Sequence, residues 1–204
     1  MGVKLAESNT VFKAGDLLRN AKGASVNPWK YASLIGQLSE LSEEIPSGAI
    51  GFVAELIAEA QRQGEPAAWV AGRDSIFYPP DLAECGVDLD GVTVVWAKGA
   101  TRAMIAADQL LRSGAFGFLT VDLGREWRVS DAALGKLRRL AEMHEAAVVF
   151  LTEKKAQEQS IGSMISLRGI VAAGPHGAVI HTTRNKHGTT GSAILTSYVR
   201  PGMH

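Results

Sequence analysis

Leu110-Leu111-Arg112-Ser113-Gly114-Ala115, followed closely by Leu119-Thr120-Val121-Asp122, decides the fold class. The apolar residues before Gly114 recur at helical spacing, and the glycine supplies a stop signal. From Phe116 to Val121 an apolar run rich in strand formers follows, ending at the acid Asp122. A helix, a glycine and a buried-type strand make one unit of an α/β protein. The pattern repeats on both sides. Thr101 to Ser113 predicts the amphipathic helix, with Ala103, Ile105, Ala106, Leu110 and Leu111 facing inward. Val92 to Trp96 is a β-branched run that predicts a buried strand, and Ala67 to Ala71 predicts another. Between Gly51 and Gln63 a helix is expected, stopped by Gly64 and Pro66, with a strand beginning at Leu38 ahead of it. Downstream, Leu134 to Glu145 predicts a helix with Lys136, Arg138, Arg139 and Glu142 outward, and Ala147 to Leu151 a strand. Such alternation predicts a mostly parallel sheet covered on both faces. Strand and turn signals dominate from Gly169 to Val199, which predicts an antiparallel extension.

At 204 residues the chain accommodates one sizeable domain, read here as residues 29–204 behind an N-terminal arm, 1–28, with a short helix at Val11 to Leu18. Lys plus Arg and Asp plus Glu are each 21, so no global basic field draws in nucleic acid, and any DNA contact has to be a local patch. Cys85 is the only cysteine, which excludes an intramolecular disulfide and is expected as a buried structural thiol. No stretch approaches the roughly 18 apolar residues of a membrane span, and the start lacks a secretory hydrophobic region, so a cytoplasmic protein is expected. His144, His176, His181, His187 and His204 have no metal-ligand spacing, and no serine lies in a nucleophile elbow, which argues against a hydrolase. Trp29, Trp69 and Trp96 are expected in the core. Trp127, between Glu126 and Arg128 and close to Arg125, is a candidate anchor for a protein partner or a single strand.

Taken in order, AELIAEAQRQG (54–64), AAWVA (67–71), CGVDLD (85–90), LLRSGA (110–115) and LTVD (119–122) resemble the core of the bacterial recombinase RecA. GVDLD and LLRSGA carry most of the resemblance, which runs from Leu38 to Leu195. It implies an α/β RecA-like core: a central, mostly parallel twisted sheet flanked by helices, with an antiparallel C-terminal extension. Among RecA-like proteins, a short chain with an altered phosphate loop is similar to the ImuA group. These are accessory proteins of the SOS mutagenesis cassette, acting with ImuB and an error-prone polymerase.

Glu43-Glu44-Ile45-Pro46-Ser47-Gly48-Ala49-Ile50 occupies the place of the phosphate loop. A working loop reads G-x-x-x-x-G-K-[ST]: backbone amides cradle phosphate, lysine reaches the outer phosphates, and a hydroxyl holds magnesium. Only Gly48 matches. Glu43 replaces the first glycine, Ala49 the lysine and Ile50 the hydroxyl. By the same resemblance, Arg73 stands where a glutamate activates the attacking water, and Asp122 where an acid holds the magnesium shell. For Asp122 the alternative is a turn residue ahead of Gly124. Phosphoryl transfer depends on positioning and charge stabilisation, so these changes predict a non-enzyme without a nucleotide cofactor.

After the strand ending at Leu151, Glu153 falls on the γ-phosphate sensor position of the resembled family. The following segment corresponds to its mobile DNA-binding loop. Lys154, Lys155 and Arg168 are candidate contacts to phosphate backbone, with a solvated loop as the alternative. Arg184 and Lys186 fall on the strand whose cations reach a neighbouring subunit's ATP in RecA, which implies contact with RecA's ATP or an acidic surface; an exposed strand end whose cations serve solubility is the alternative. The leading expectation is a non-catalytic accessory protein of damage-induced translesion synthesis, contacting RecA, ImuB and the polymerase. Weak contact with single-stranded DNA and homo-oligomerisation stay open. The alternatives are a divergent nucleotide- and DNA-binding RecA paralogue and a SulA-like division inhibitor.

Overall fold

The computed structural model describes residues 27–44, 48–72, 75, 77–174, 177–188 and 190–194. The expected helix at Val11 to Leu18 and the position of Arg73 lie outside these residues. A short helix α1 (Tyr31–Leu34) leads into strand β1 (Leu38–Glu43). The alternating part then follows as α2 (Ala49–Arg62), β2 (Ala67–Ala71), α3 (Pro79–Glu84), a 3-10 turn (Leu89–Gly91), β3 (Val92–Trp96), α4 (Ala100–Ser113), β4 (Phe118–Gly124), α5 (Asp131–Met143) and β5 (Ala147–Glu153). Three strands complete the described chain: β6 (Leu167–Gly174), β7 (Gly177–Asn185) and β8 (Gly191–Ile194).

These strands form one 8-stranded sheet in the order β3-β2-β4-β5-β1-β6-β7-β8. Every neighbouring pair from β3 to β6 is parallel. β6 with β7, and β7 with β8, are antiparallel. The architecture is therefore the expected mostly parallel α/β sheet with an antiparallel C-terminal extension, consistent with a RecA-like core. Among the described residues, no helix is long and apolar enough to cross a membrane.

Two hydrophobic layers cover the central strands, as a parallel sheet requires. Under α2 lie Phe52, Val53, Leu56, Ile57, Trp69, Phe118 and Val149. On the opposite face α4 and α5 enclose Val70, Leu111, Leu119, Val121, Leu137, Val148 and Phe150. α4 ends where expected, at Gly114 in the left-handed conformation (φ 64°), which a side chain would strain. α5 starts earlier than its apolar pattern indicates. Ser130 Oγ accepts from the Ala133 amide at 3.2 Å and Asp131 occupies the first turn, so the cap rather than the first leucine sets the boundary.

Three local expectations are corrected. Ile105 is 47% exposed, and the buried face of α4 is Ala103, Met104, Ala107 and Leu111. β3 is an edge strand, half-buried at Val92, Val94 and Val95, and its Trp96 is 68% exposed. A β-branched run reports strand propensity but not whether a neighbour covers it. Cys85 is half-buried, with its thiol 3.8 Å from the Gly51 carbonyl.

Candidate functional site

β1 points its carboxyl end at the amino end of α2, the arrangement that makes a phosphate cradle from unpaired helix amides. The cradle carries an anion of the chain's own. Glu43, 6% exposed, accepts from the Ala49 amide on Oε2 at 3.3 Å. A carboxylate is stabilised there by the helix dipole for the same reason that a phosphate would be. Gly48 caps the helix at φ 137°, and a Cβ on it would lie 2.6 Å from the Ala178 Cβ on β7. Glycine is thus required by backbone conformation and by the close approach of β7. Ala49 and Ile50 are 2% and 3% exposed and belong to the core beneath α2. The positions of the lysine and the hydroxyl are consequently part of the packing.

Asp122 closes the other side of this end of the sheet and is 3% exposed. Its Oδ2 accepts from the Ser75 hydroxyl at 2.5 Å and its Oδ1 from the Gly124 amide at 3.2 Å. The bond to Gly124 is the turn geometry that the sequence offers as an alternative to a magnesium role. The Gly72 amide donates to the Asp122 carbonyl at 2.9 Å, and a Cβ on Gly72 would come within 2.5 Å of that oxygen. Asp122 therefore organises the chain leaving β2.

A second polar centre, which the sequence reading does not anticipate, is Glu40. It lies in the middle of β1 and is 0% exposed. Lys154 Nζ is 2.5 Å from its Oε1 and Arg168 Nε 3.7 Å from its Oε2. The Ser160 hydroxyl and the Ile161 amide donate to Oε2 at 2.7 and 3.2 Å. Ser42 and Thr152 donate to Oε1 at 3.3 Å each. One buried carboxylate thus fastens the segment after β5 to the sheet.

That segment corresponds to the loop expected to be mobile and basic, and the geometry corrects its lysine. Lys154 is 4% exposed, donates to the Gln159 carbonyl at 2.7 Å and sits 4.5 Å from the centre of the Trp127 ring. Burial pushes the Lys154 ammonium down from its ordinary value, against the opposing pull of Glu40. Arg168 is 8% exposed and lies on β6. Lys155 is exposed, with its amide bonded to Glu158 at 2.7 Å. Glu153 pairs with Arg125 at 2.6 Å.

Trp127 is half-buried, with Arg128 5.8 Å from its ring centre in addition to Lys154. It lines a cleft of about 600 Å³ together with Lys98, Thr101, Arg125 and Arg128. On β7, Arg184 Nη1 donates to the Gly162 carbonyl at 3.4 Å and Lys186 Nζ to the Ser163 carbonyl at 2.6 Å. The fold therefore gathers Glu43, Gly48, Ala49, Ile50 and Asp122 at the carboxyl ends of β1 and β4. It collects Lys154, Arg168, Arg184 and Lys186 around Glu40 and residues 159–163. A charged residue inside the strand LSELSE is the signal that marks Glu40, because a buried acid in a strand requires paired cations.

A mostly parallel α/β sheet with helices on both faces and an antiparallel edge is consistent with a RecA-like core. Comparison with known proteins gives the same class. The chain is 34% identical over 87 residues to protein RecA of Teredinibacter turnerae, covering 43% of this chain and 25% of that protein. It is 27% identical over 137 residues to RecA of Roseiflexus sp., covering 58% of this chain and 38% of the relative. With RecA of Aquifex pyrophilus the identity is 23% over 137 residues, 58% of this chain and 39% of the relative. The chain thus spans less than half the length of these relatives, and the matches support a RecA-related protein of the RecA-like superfamily. No family model matches.

Proposed function

We propose that this is a non-catalytic RecA-like accessory protein of the ImuA type, acting in SOS-induced error-prone translesion synthesis and DNA repair. The observation that carries the non-catalytic reading is the Glu43 carboxylate on the Ala49 amide, above a buried Ala49 and Ile50. A carboxylate already occupies an amide of the helix terminus, and alanine and isoleucine stand where the resemblance places the lysine and the hydroxyl that recruit ATP and magnesium. Similarity to RecA proteins supports the choice of RecA as a partner, since a RecA-like protomer has the shape to join or interrupt a filament. Partnership with ImuB and the polymerase follows from the resemblance to the ImuA group. In this account RecA's own recombinase activity is what the protein modulates.

Titration of the purified protein into a RecA single-strand-dependent ATPase and strand-exchange reaction tests the proposal. A change in either rate at near-stoichiometric amounts is expected. Unchanged rates at a large excess would remove RecA as the partner.

A further inference from the structure

β3 ends the sheet, and among the described residues no strand pairs with its outer edge. One bond fixes the direction of its free backbone groups. The Ala97 amide donates to the Ala71 carbonyl at 2.8 Å, so Ala97 faces β2, and by alternation along the strand so do Thr93 and Val95. The amides and carbonyls of Val92, Val94 and Trp96 therefore point outward, a ladder open to a further strand.

Proteins usually blunt such an edge with a charged side chain, a proline or a bulge. β3 has none of these: it reads VTVVW, and its register with β2 runs unbroken from Val92 to Trp96. The Trp96 ring meets Phe77 edge-on at 6.3 Å and keeps most of its surface in solvent. From Gly91 to Ala97 the chain carries no charge, and the nearest charges stand symmetrically about Val94, Asp90 before it and Lys98 after it. Both are exposed, and among the described residues neither takes part in an ion pair.

We propose that β3 is the contact of a symmetric dimer, in which a second copy of this chain adds its own β3 antiparallel with Val94 on the two-fold axis. That centre brings Asp90 opposite the partner's Lys98, and Lys98 opposite the partner's Asp90, so each charge meets its opposite. An in-register parallel pairing would oppose like charges instead. Val92 stands across from the partner's Trp96 on both sides of the axis, an aromatic and β-branched pair of the kind that stabilises sheets. Since Val92, Val94 and Trp96 all point outward, these pairs fall on the hydrogen-bonded positions of an antiparallel ladder. The two sheets become one continuous sheet. β2, β4 and β5 lie between this edge and the strand of Glu43, and failure of the dimer would leave the reading of that cradle untouched.

Sedimentation velocity of the full chain over a concentration series measures the dimer, and amide exchange at the same concentrations locates it. A concentration-dependent dimer is expected, with the Val94 and Trp96 amides fast to exchange in the monomer and slow in the dimer, and the Thr93 and Val95 amides slow in both. Val94→Pro removes the central outward donor without touching the ladder to β2, and is expected to leave a monomer whose fold thermal melting confirms. Lys98→Asp and Asp90→Lys should each weaken the dimer about tenfold, as two exposed ion pairs turn repulsive, and combining them should restore it. These two positions are exposed, so they decide the matter even where Val94→Pro fails to fold. A parent that is monomeric at every concentration, a dimer unchanged by folded Val94→Pro or by both charge reversals, or a combined variant as weak as the single ones would overturn the proposal.

Discussion

Glu43 places a carboxylate where the first turn of α2 would otherwise leave an amide unpaired. A phosphate loop works because helix amides have no partner of their own, and a carboxylate accepting from Ala49 takes up one of them. Replacing Glu43 with alanine is expected to lower stability by about 1–2 kcal/mol, the range of a lost helix cap with its dipole interaction. Chemical denaturation checks this, and stability equal to the parent would show that the contact contributes nothing. The residue types were legible in the sequence: Glu43, Ala49 and Ile50 stand where the resemblance places the first glycine, the lysine and the hydroxyl. What they do instead was not. That Ala49 and Ile50 join the core, and that Asp122 holds Ser75 and Gly124, depends on contacts between segments far apart in the chain.

Elements were legible where periodicity and stop signals agree, as for α4 with Gly114 and for the strands β2 and β5. They were misread where exposure depends on a neighbour: β3 has the composition of an interior strand but lies at the edge, leaving Trp96 outside. The segment after β5 is the other case. Its lysines and glutamates look like a solvated loop, whereas Ser160, Ile161 and Lys154 all converge on Glu40. Breaking a buried ion pair by removing one partner costs about 3–5 kcal/mol, a large share of a domain's roughly 5–15 kcal/mol of stability. Glu40→Ala is therefore expected to lose that much, and the Ile161 amide, protected in the parent, should exchange rapidly with solvent in the variant. Retained protection of Ile161 would show that the apolar contacts of Ile161 and Ile165 hold the loop without Glu40.

At the scale of the whole molecule, the strand order and the two helix-covered faces are consistent with a RecA-like core, while at the carboxyl ends of β1 and β4 Glu43 and Asp122 are buried and bonded within the chain. The cationic residues lie instead around Glu40, on the face carrying α5 and the segment after β5. On the non-catalytic reading proposed above there is no ATP-driven step, and action rests on the surfaces the fold presents. Calorimetric titration of the isolated protein with magnesium-ATP tests that claim most directly. The account predicts no saturable heat at the cradle, in the parent and in Glu43→Ala alike, since removing the carboxylate restores neither lysine nor hydroxyl. A saturable one-site isotherm with magnesium-ATP would contradict the account and return the protein to the nucleotide-binding class.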